Sequence, residues 1–190
     1  VQIYANAPPS SGSFSISPNK GTSLDTLFTL SSMNWVDDAL PLSYEYKFFD
    51  EVRGKLVPLL AISAVPQIDS ILPPGVPLQL TASIVDSLGG EALIDATAMV
   101  EAKDSTTEEL MHNMQLNVED SVRLMDGESI ACMIGVSIKT AAEGTTLSAK
   151  DSFYMVDRLK FALSAMGMSE STVETVAGTL AGVTTGSVDV

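Results

Sequence analysis

The spacing of apolar residues changes at about residue 102, and this change limits the folds that the chain can adopt. Six apolar runs precede residue 102, and five of them alternate apolar and polar residues as half-buried strands do. Beyond it, apolar residues recur at every third or fourth position, which is the spacing of amphipathic helices. All nine prolines lie between Pro8 and Pro77. We therefore predict a strand region over 1–102 and a helical region over 103–190.

The strand region has the pattern of an antiparallel β-sandwich of the immunoglobulin or fibronectin type III kind. Short strands at fairly regular spacing are separated by turn sequences such as 18–21 and 86–90. Aromatic side chains on these strands must point inward, because outside they would form a large exposed apolar patch. The predicted core aromatics are Phe28, Trp35, Tyr44 and Tyr46.

The helical region is predicted to contain about four short helices. Ser105 and Glu108 have the spacing of a capping box before the first helix, whose apolar stripe is Met111, Met114, Val118, Val122 and Met125. The second stripe is Ile130, Ile134 and Ile138; the third is Phe153, Val156, Leu159, Leu163 and Met166; the fourth follows a capping box at Ser171. The methionines favour core packing over a promiscuous groove. Helices this short bury one face among themselves, so we expect them to dock on the sandwich or on another chain.

Residues that carry chemistry are sparse. One Cys and one His exclude an internal disulfide and a His-rich metal site. His112 and Cys132 lie on neighbouring predicted helices and are the one candidate nucleophilic pair, but the apolar sequence around Cys132 favours a buried structural thiol. Nucleotide-binding and hydrolase motifs are absent from the sequence. We therefore predict no enzymatic activity, no cofactor and no catalytic metal.

Asp37 and Asp38 are weak candidates for a calcium site. Two loop carboxylates can supply oxygen ligands to Ca²⁺, but the regular acid spacing of a calcium loop is missing. The alternative, which we favour, is a solvated turn whose Asp side chains bind their own backbone.

The charge balance excludes some partners. Twenty-four acidic residues against ten basic ones give a net charge of −14, which repels phosphate backbones and anionic membranes. We therefore expect no nucleic-acid partner. Apolar runs stay well short of the roughly 18 residues that a spanning helix needs, so we also expect no membrane span within this chain.

Four short motifs between residues 18 and 44 resemble a known extracellular module. They are Pro18-x-x-Gly21, the aromatic strand around Phe28, Trp35-x-Asp37 and Pro41-Leu42-x-Tyr44. This set resembles the receptor-for-egg-jelly (REJ) module of polycystin-type proteins, and residues 172–184 are similar to a recurrent helix of that family. Relatives often carry a Cys pair near the positions of Ser13 and Ser32. Residues 1–102 are accordingly expected to be a REJ-like β-sandwich.

The resemblance implies a function in adhesion or sensing. The chain would be a non-enzymatic extracellular or luminal segment of a large polycystin-like protein at the cell or ciliary surface. Its expected partners are proteins, such as a polycystin-type channel or other modules of the same assembly. The alternative is a structural subunit of an extracellular filament such as a flagellar hair. We expect the chain to be a piece of a larger protein in the first case.

Overall fold

A computed structural model describes residues 6–51, 54–59, 62–104, 106–123, 130, 133–137 and 149–165 of the chain. The strands in this part are β1 (Ser13–Ser17), β2 (Lys20–Thr22), β3 (Phe28–Met33), β4 (Ser43–Asp50), β5 (Lys55–Pro58), β6 (Gln67–Ser70), β7 (Gly75–Val85) and β8 (Glu91–Glu101). The helices are α1 (Thr107–Arg123) and α2 (Ala149–Ala165). Residues 130 and 133–137 are also helical.

The strands form two sheets that enclose a shared core. One sheet has the order β1-β3-β6 and the other the order β2-β8-β7-β4-β5. Every neighbouring pair of these strands is antiparallel except β2 and β8, which run parallel. The prediction of a two-sheet strand region is confirmed, but the prediction that it is wholly antiparallel is wrong at this one pair.

The parallel pair arises where the chain passes from one sheet to the other. Pro18 has no backbone N–H, so it cannot extend the ladder of β1. Two residues later the chain pairs with β8 of the other sheet, where Lys20 lies opposite Met99. Residues 18–21 were predicted to be a turn only, because Lys-Gly-Thr has no apolar alternation that would indicate a strand.

The strand predictions missed one strand and placed the start of another too early. β6 was not predicted, because four residues are too few to reveal a period. The run from Leu24 to Leu30 was predicted to be one strand, but β3 begins only at Phe28. Leu24 has a left-handed backbone with a φ of 68° and lies in the loop before β3.

The sandwich core is built from the inward faces of both sheets. Phe28 and Leu30 of β3 are fully buried against Tyr46 and Phe48 of β4 and the apolar face of β7. The rings of Phe14 and Tyr46 are tilted by 36° with centroids 5.6 Å apart. Among the predicted core aromatics, Phe28 and Tyr46 are buried, while Trp35 and Tyr44 are partly buried and pack against the same core.

A part-buried hydrogen bond joins the two sheets beside this core. The Tyr46 hydroxyl on β4 donates to the carbonyl of Pro66, next to β6, over 2.6 Å. The same carbonyl accepts the backbone N–H of Ser32 on β3 at 2.8 Å. Burial raises the pKa of Tyr46, so its hydroxyl keeps its proton and remains a donor at neutral pH.

The capping box that begins α1 lies one residue later than predicted. The backbone N–H of Glu109 donates to Thr106 Oγ1 over 3.2 Å, and the N–H of Thr106 donates back to Glu109 Oε2 over 3.1 Å. Either Ser105 or Thr106 satisfies the motif, since an acid follows each of them by three residues. Ser105 itself lies outside the described residues.

The helices pack on one another through their apolar faces. Met111, Met114 and Val118 of α1 are buried as the sequence predicts. On α2 the buried residues are Met155, Leu159 and Ala162, whereas Phe153 is 74% exposed, so the predicted stripe is wrong at Phe153. The residue period alone does not decide between the stripe that contains Phe153 and the stripe that contains Met155. Contact with α1 decides it, because the second stripe faces that helix. The described residues do not include the predicted fourth helix, the Leu163 side chain, or Met125, Cys132, Ile138 and Met166.

A polar cluster also links the two helices. Tyr154 donates from its hydroxyl to Glu119 Oε1 over 3.1 Å, and the Arg158 guanidinium lies 5.3 Å from the centroid of the Tyr154 ring. Burial, together with this bond to Glu119, raises the pKa of Tyr154 to about 12.

The helical region contacts the sandwich. Val136 is buried in the sandwich core, and Leu24 packs against both the sandwich core and the helical core. The junction between β8 and α1 is fixed by Lys103, whose Nζ lies 2.5 Å from Asp25 Oδ1 and whose backbone N–H donates to Ser23 Oγ. Among the described residues, helices are too short or too polar to cross a bilayer.

Candidate functional site

The two ends of the sandwich are occupied differently. Thr22 pairs with Glu101, so the loop that carries Leu24 lies where β8 ends, and there it meets the helical core. Val85 pairs with Glu91, so the turn 86–90 lies at the other end, where β8 begins. This other end, which we call the loop end, also receives the β3–β4 loop and the segment before β1.

An open cleft of about 700 Å³ lies at the loop end. Three separate stretches of chain form it: the segment before β1, the β3–β4 loop and the β7–β8 turn. The lining residues are Asn6, Ala7, Pro8, Ser10, Val36, Asp37, Asp38, Ala39, Leu40, Ser87 and Leu88. We call this the loop-end cleft.

Asp86 organises one wall of the cleft. Its Oδ1 accepts the backbone N–H groups of Leu88 at 2.7 Å and Gly90 at 2.9 Å, which shapes the turn. Its Oδ2 accepts the side-chain amide of Asn6 at 2.7 Å, which ties the N-terminal segment to a turn 80 residues away. Desolvation raises the pKa of Asp86, but these donors, first of them Asn6, outweigh it and hold the pKa below its ordinary value.

The opposite wall is held by the backbone of the β3–β4 loop. Asp37 Oδ1 accepts the N–H of Ala39 at 2.6 Å, a turn in which an Asp side chain binds its own backbone. The carbonyl of Ala39 accepts the N–H of Ser87 at 3.1 Å and so joins the two walls. Ser10 and Val36 exchange both backbone hydrogen bonds, each 3.0 Å long. The cleft is therefore fixed by bonds between all three stretches.

The calcium candidates line this cleft. Asp37 is half-buried and bonded to its own turn, as the turn alternative expects, and Asp38 is exposed. The part of the chain that the structure describes contains no group of three or more His, Cys, Asp or Glu residues placed to hold a metal ion. Two loop carboxylates are few, since Ca²⁺ takes six to eight oxygen ligands.

The other candidate pair is not assembled in the described residues. His112 is exposed on α1. Cys132, its predicted counterpart, lies outside the described residues.

Trp35 packs next to the segment that precedes β1. Its ring lies against the backbone of Gly12, at the end of the N-terminal segment, and its chain neighbour Val36 is a lining residue. A glycine is needed at position 12 because a Cβ there would overlap the indole ring. The sequence indicated Trp35 as a core residue but did not indicate this contact.

Sequence reasoning missed the exposed apolar residues of the cleft. Val36 is 62% exposed, Leu40 67% and Leu88 72%. Leu88 stands among turn-forming residues in Asp-Ser-Leu-Gly-Gly, and an apolar side chain at the tip of a predicted turn is a signal that could have pointed to this surface.

A family model for the REJ domain matches residues 1–125, which include all the described strands and α1. The chain belongs to the REJ domain family. The resemblance seen in the sequence motifs is thereby confirmed. Ser32 pairs with Phe14 and faces the core, whereas Ser13 is exposed on the opposite face, so the side chains of these two serines point away from one another.

Other comparisons add little about the REJ domain described above. A search of the curated proteins finds no match. One similar solved structure concerns the promiscuous specificity of carbohydrate-binding modules of the β-sandwich superfamily; it is 22% identical with a TM-score of 0.41, and the match covers 52% of this chain and 36% of that one. Another is a superoxide reductase (neelaredoxin) from Ignicoccus hospitalis, 19% identical with a TM-score of 0.38, covering 50% and 83% respectively. At these scores neither likeness bears on function.

Proposed function

We propose that this REJ domain is a non-enzymatic extracellular or luminal segment of a large membrane- or cilium-associated polycystin-like protein, and that it acts in adhesion or sensing. The observation that carries the proposal is the family match over residues 1–125. REJ domains are associated with polycystin-type proteins. The partners are other proteins: a polycystin-type channel or further modules of the same assembly.

The strand order favours an immunoglobulin-type sandwich. The sheets β1-β3-β6 and β2-β8-β7-β4-β5 have the first strand divided between them. In immunoglobulin variable domains, the loops equivalent to β3–β4 and β7–β8 form the recognition surface at one end. Here these two loops form the loop-end cleft together with the segment before β1.

The difference between the two ends of the sandwich supports a role in which a rigid domain holds exposed loops for a partner. The end that carries Leu24 is covered by the helical core, whereas the loop end keeps Val36, Leu40 and Leu88 exposed. The two ends of the sandwich therefore differ, and the open end is the one that a partner would contact. A net charge of −14 discourages polyanionic ligands and is compatible with a protein partner.

Exposure at the cell surface is tested with an epitope tag inserted at Gly54 in the full-length parent protein. Gly54 lies in the β4–β5 turn, and a Cβ built there meets no atom within 4 Å, so the insertion has room. We expect an antibody to stain intact cells, with a cytoplasmic marker unstained as the control. Staining only after permeabilisation would contradict the proposed location.

Protein contact is tested by amine-reactive cross-linking on the same intact cells. We expect adducts between the tagged protein and at least one different polypeptide. Adducts that contain only regular arrays of the tagged chain would favour the filament alternative instead. The absence of any adduct would contradict a function through protein contacts.

A further inference from the structure

Hydrogen bonds fix the backbone at two of the three exposed apolar residues of the loop-end cleft. Val36 is held by its paired backbone bonds to Ser10, and Leu88 by the bond from its N–H to Asp86. Both side chains are more than half exposed. Isolated exposed leucines are ordinary, but three large apolar side chains around one cleft are typical of a contact surface.

The cleft is also organised before any partner arrives. Its three stretches are tied to one another by the Asn6–Asp86, Ser87–Ala39 and Ser10–Val36 hydrogen bonds. Ordering loops at the moment of binding weakens affinity, and a surface already fixed avoids that loss. The geometry thus favours recognition over passive spacing.

The charges of the cleft have a single sign. Asp37 and Asp38 are its ionisable lining residues, and none of the described lining residues is Lys, Arg or His. No hydrogen bond to the Asp38 carboxylate is found within the described part of the chain, and this side chain is exposed. A carboxylate in that position attracts a cationic group from a partner.

We propose that the loop-end cleft binds a segment of another protein in which Lys or Arg stands next to an apolar side chain. The apolar group would lie against Leu40 and Leu88, and the cation would approach Asp37 and Asp38. This inference rests on the proposed function, since it names the chemistry of the partner through which the domain acts. A second copy of this chain is a poor occupant, because two chains of charge −14 repel one another.

Binding is tested by titrating model peptides into the full ¹⁵N-labelled chain and following its amide resonances. The probes are Gly-Leu-Lys-Leu-Lys-Gly and its acidic counterpart Gly-Leu-Glu-Leu-Glu-Gly. We expect the basic peptide to shift the amides of Val36, Asp38 and Leu88, with a dissociation constant that rises with salt. The acidic peptide should shift none of them.

The charge contribution is isolated with the double variant Asp37→Asn/Asp38→Asn. Asn keeps the oxygen that accepts the Ala39 N–H, so the turn is preserved. Loss of two exposed ion pairs should weaken binding of the basic peptide by about 2- to 30-fold. The matched control is Glu51→Gln/Glu101→Gln, which removes the same charge from exposed residues at the other end of the five-stranded sheet and should leave binding unchanged.

The apolar contribution is isolated with Leu88→Ser, which removes an exposed side chain while keeping the backbone N–H that bonds to Asp86. We expect at least threefold weaker binding with unchanged thermal stability. Equal shifts by both peptides, shifts confined to residues outside the cleft, or equal affinities of the Asp37→Asn/Asp38→Asn and control variants would each overturn the inference.

The two proposals can fail separately. If the cross-linked adducts form on cells equally well with Asp37→Asn/Asp38→Asn and with Leu88→Ser, the domain binds proteins elsewhere and only the inference about the cleft fails. If the unaltered chain forms no adducts, the function through protein contacts fails, whatever the peptides do.

Discussion

Gly12 is the position at which one added methyl group should disturb this sandwich most directly. A Cβ built on Gly12 overlaps Cγ, Cδ2 and Cε2 of Trp35. These are atoms of a rigid ring that packs against the core, so they cannot yield as the end of a flexible side chain can. The backbone of Gly12 does not have a positive φ, so the indole ring is the obstacle to alanine.

The expected cost follows from two opposing effects. Overpacking of this kind destabilises a fold by about 1–3 kcal/mol, and an overlap with three ring atoms belongs at the upper end. Alanine also restricts the unfolded chain, which offsets about 0.4–1 kcal/mol of that loss. Gly12→Ala should therefore lower the free energy of unfolding by about 2 kcal/mol, or the melting temperature by about 4–8 °C in a chain of this size.

The assay is urea unfolding followed by circular dichroism, applied to a double-mutant cycle. Trp35→Ala alone should cost about 2–4 kcal/mol, because the side chain is only partly buried. In that background the space beside Gly12 is empty, so Gly12→Ala should be neutral or stabilising by up to about 1 kcal/mol. The two substitutions should thus couple by about 2–3 kcal/mol.

Two results would refute this reasoning. A cost of Gly12→Ala below about 0.5 kcal/mol would mean that the ring is not held against the backbone. An equal cost in both backgrounds would mean that the loss has nothing to do with Trp35. As an independent check, Trp35 is the only tryptophan, so its fluorescence should shift to longer wavelength in Gly12→Ala as the ring is displaced.

Three further predictions concern single hydrogen-bonding groups. Tyr46→Phe keeps the ring but removes the bond to Pro66, so the free energy of unfolding should fall by about 1 kcal/mol, and a loss above about 3 kcal/mol in urea unfolding would contradict that. Thr106→Ala removes the cap of α1 and should cost about 1 kcal/mol, with Thr106→Ser nearly neutral as the control. The folded-state pKa of Asp86 is lowered, so its contribution to stability is present above the unfolded pKa of about 3.9 and is lost as the pH falls through the folded value. Melting temperatures measured from pH 6 to 2 should therefore fall less for Asp86→Asn than for the unaltered chain. Parallel curves of melting temperature against pH would show that Asp86 does not contribute to the loss of stability in acid.

Much of the fold could be predicted from local pattern. The alternating runs indicated β1, β4, β7 and β8, and the stripe Met111–Met114–Val118 indicated the buried face of α1. These elements bury one face against a large core, so their residue period is dictated by their own geometry.

The candidate site was predicted only in part. Asp37 and Asp38 were singled out, and they do line the cleft. The partners that complete it come from Asn6 and the turn that begins at Asp86, and no local pattern relates residues 80 positions apart. Val36, Leu40 and Leu88 look like ordinary apolar residues in the sequence, because exposure depends on what surrounds them after folding.

The sequence by itself determined the class of each region and the family, since periodicity, proline placement and the motifs between residues 18 and 44 are local properties. The tertiary structure alone decided which sheet receives β2, which stripe of α2 is buried and which loops meet at the open end. Each of these depends on contacts between residues far apart in the chain. Local pattern does not distinguish the alternatives, because their free energies differ only through the surfaces that each one meets in the folded chain. The exposed Phe153 and the Asn6–Asp86 bond are two examples of such an outcome.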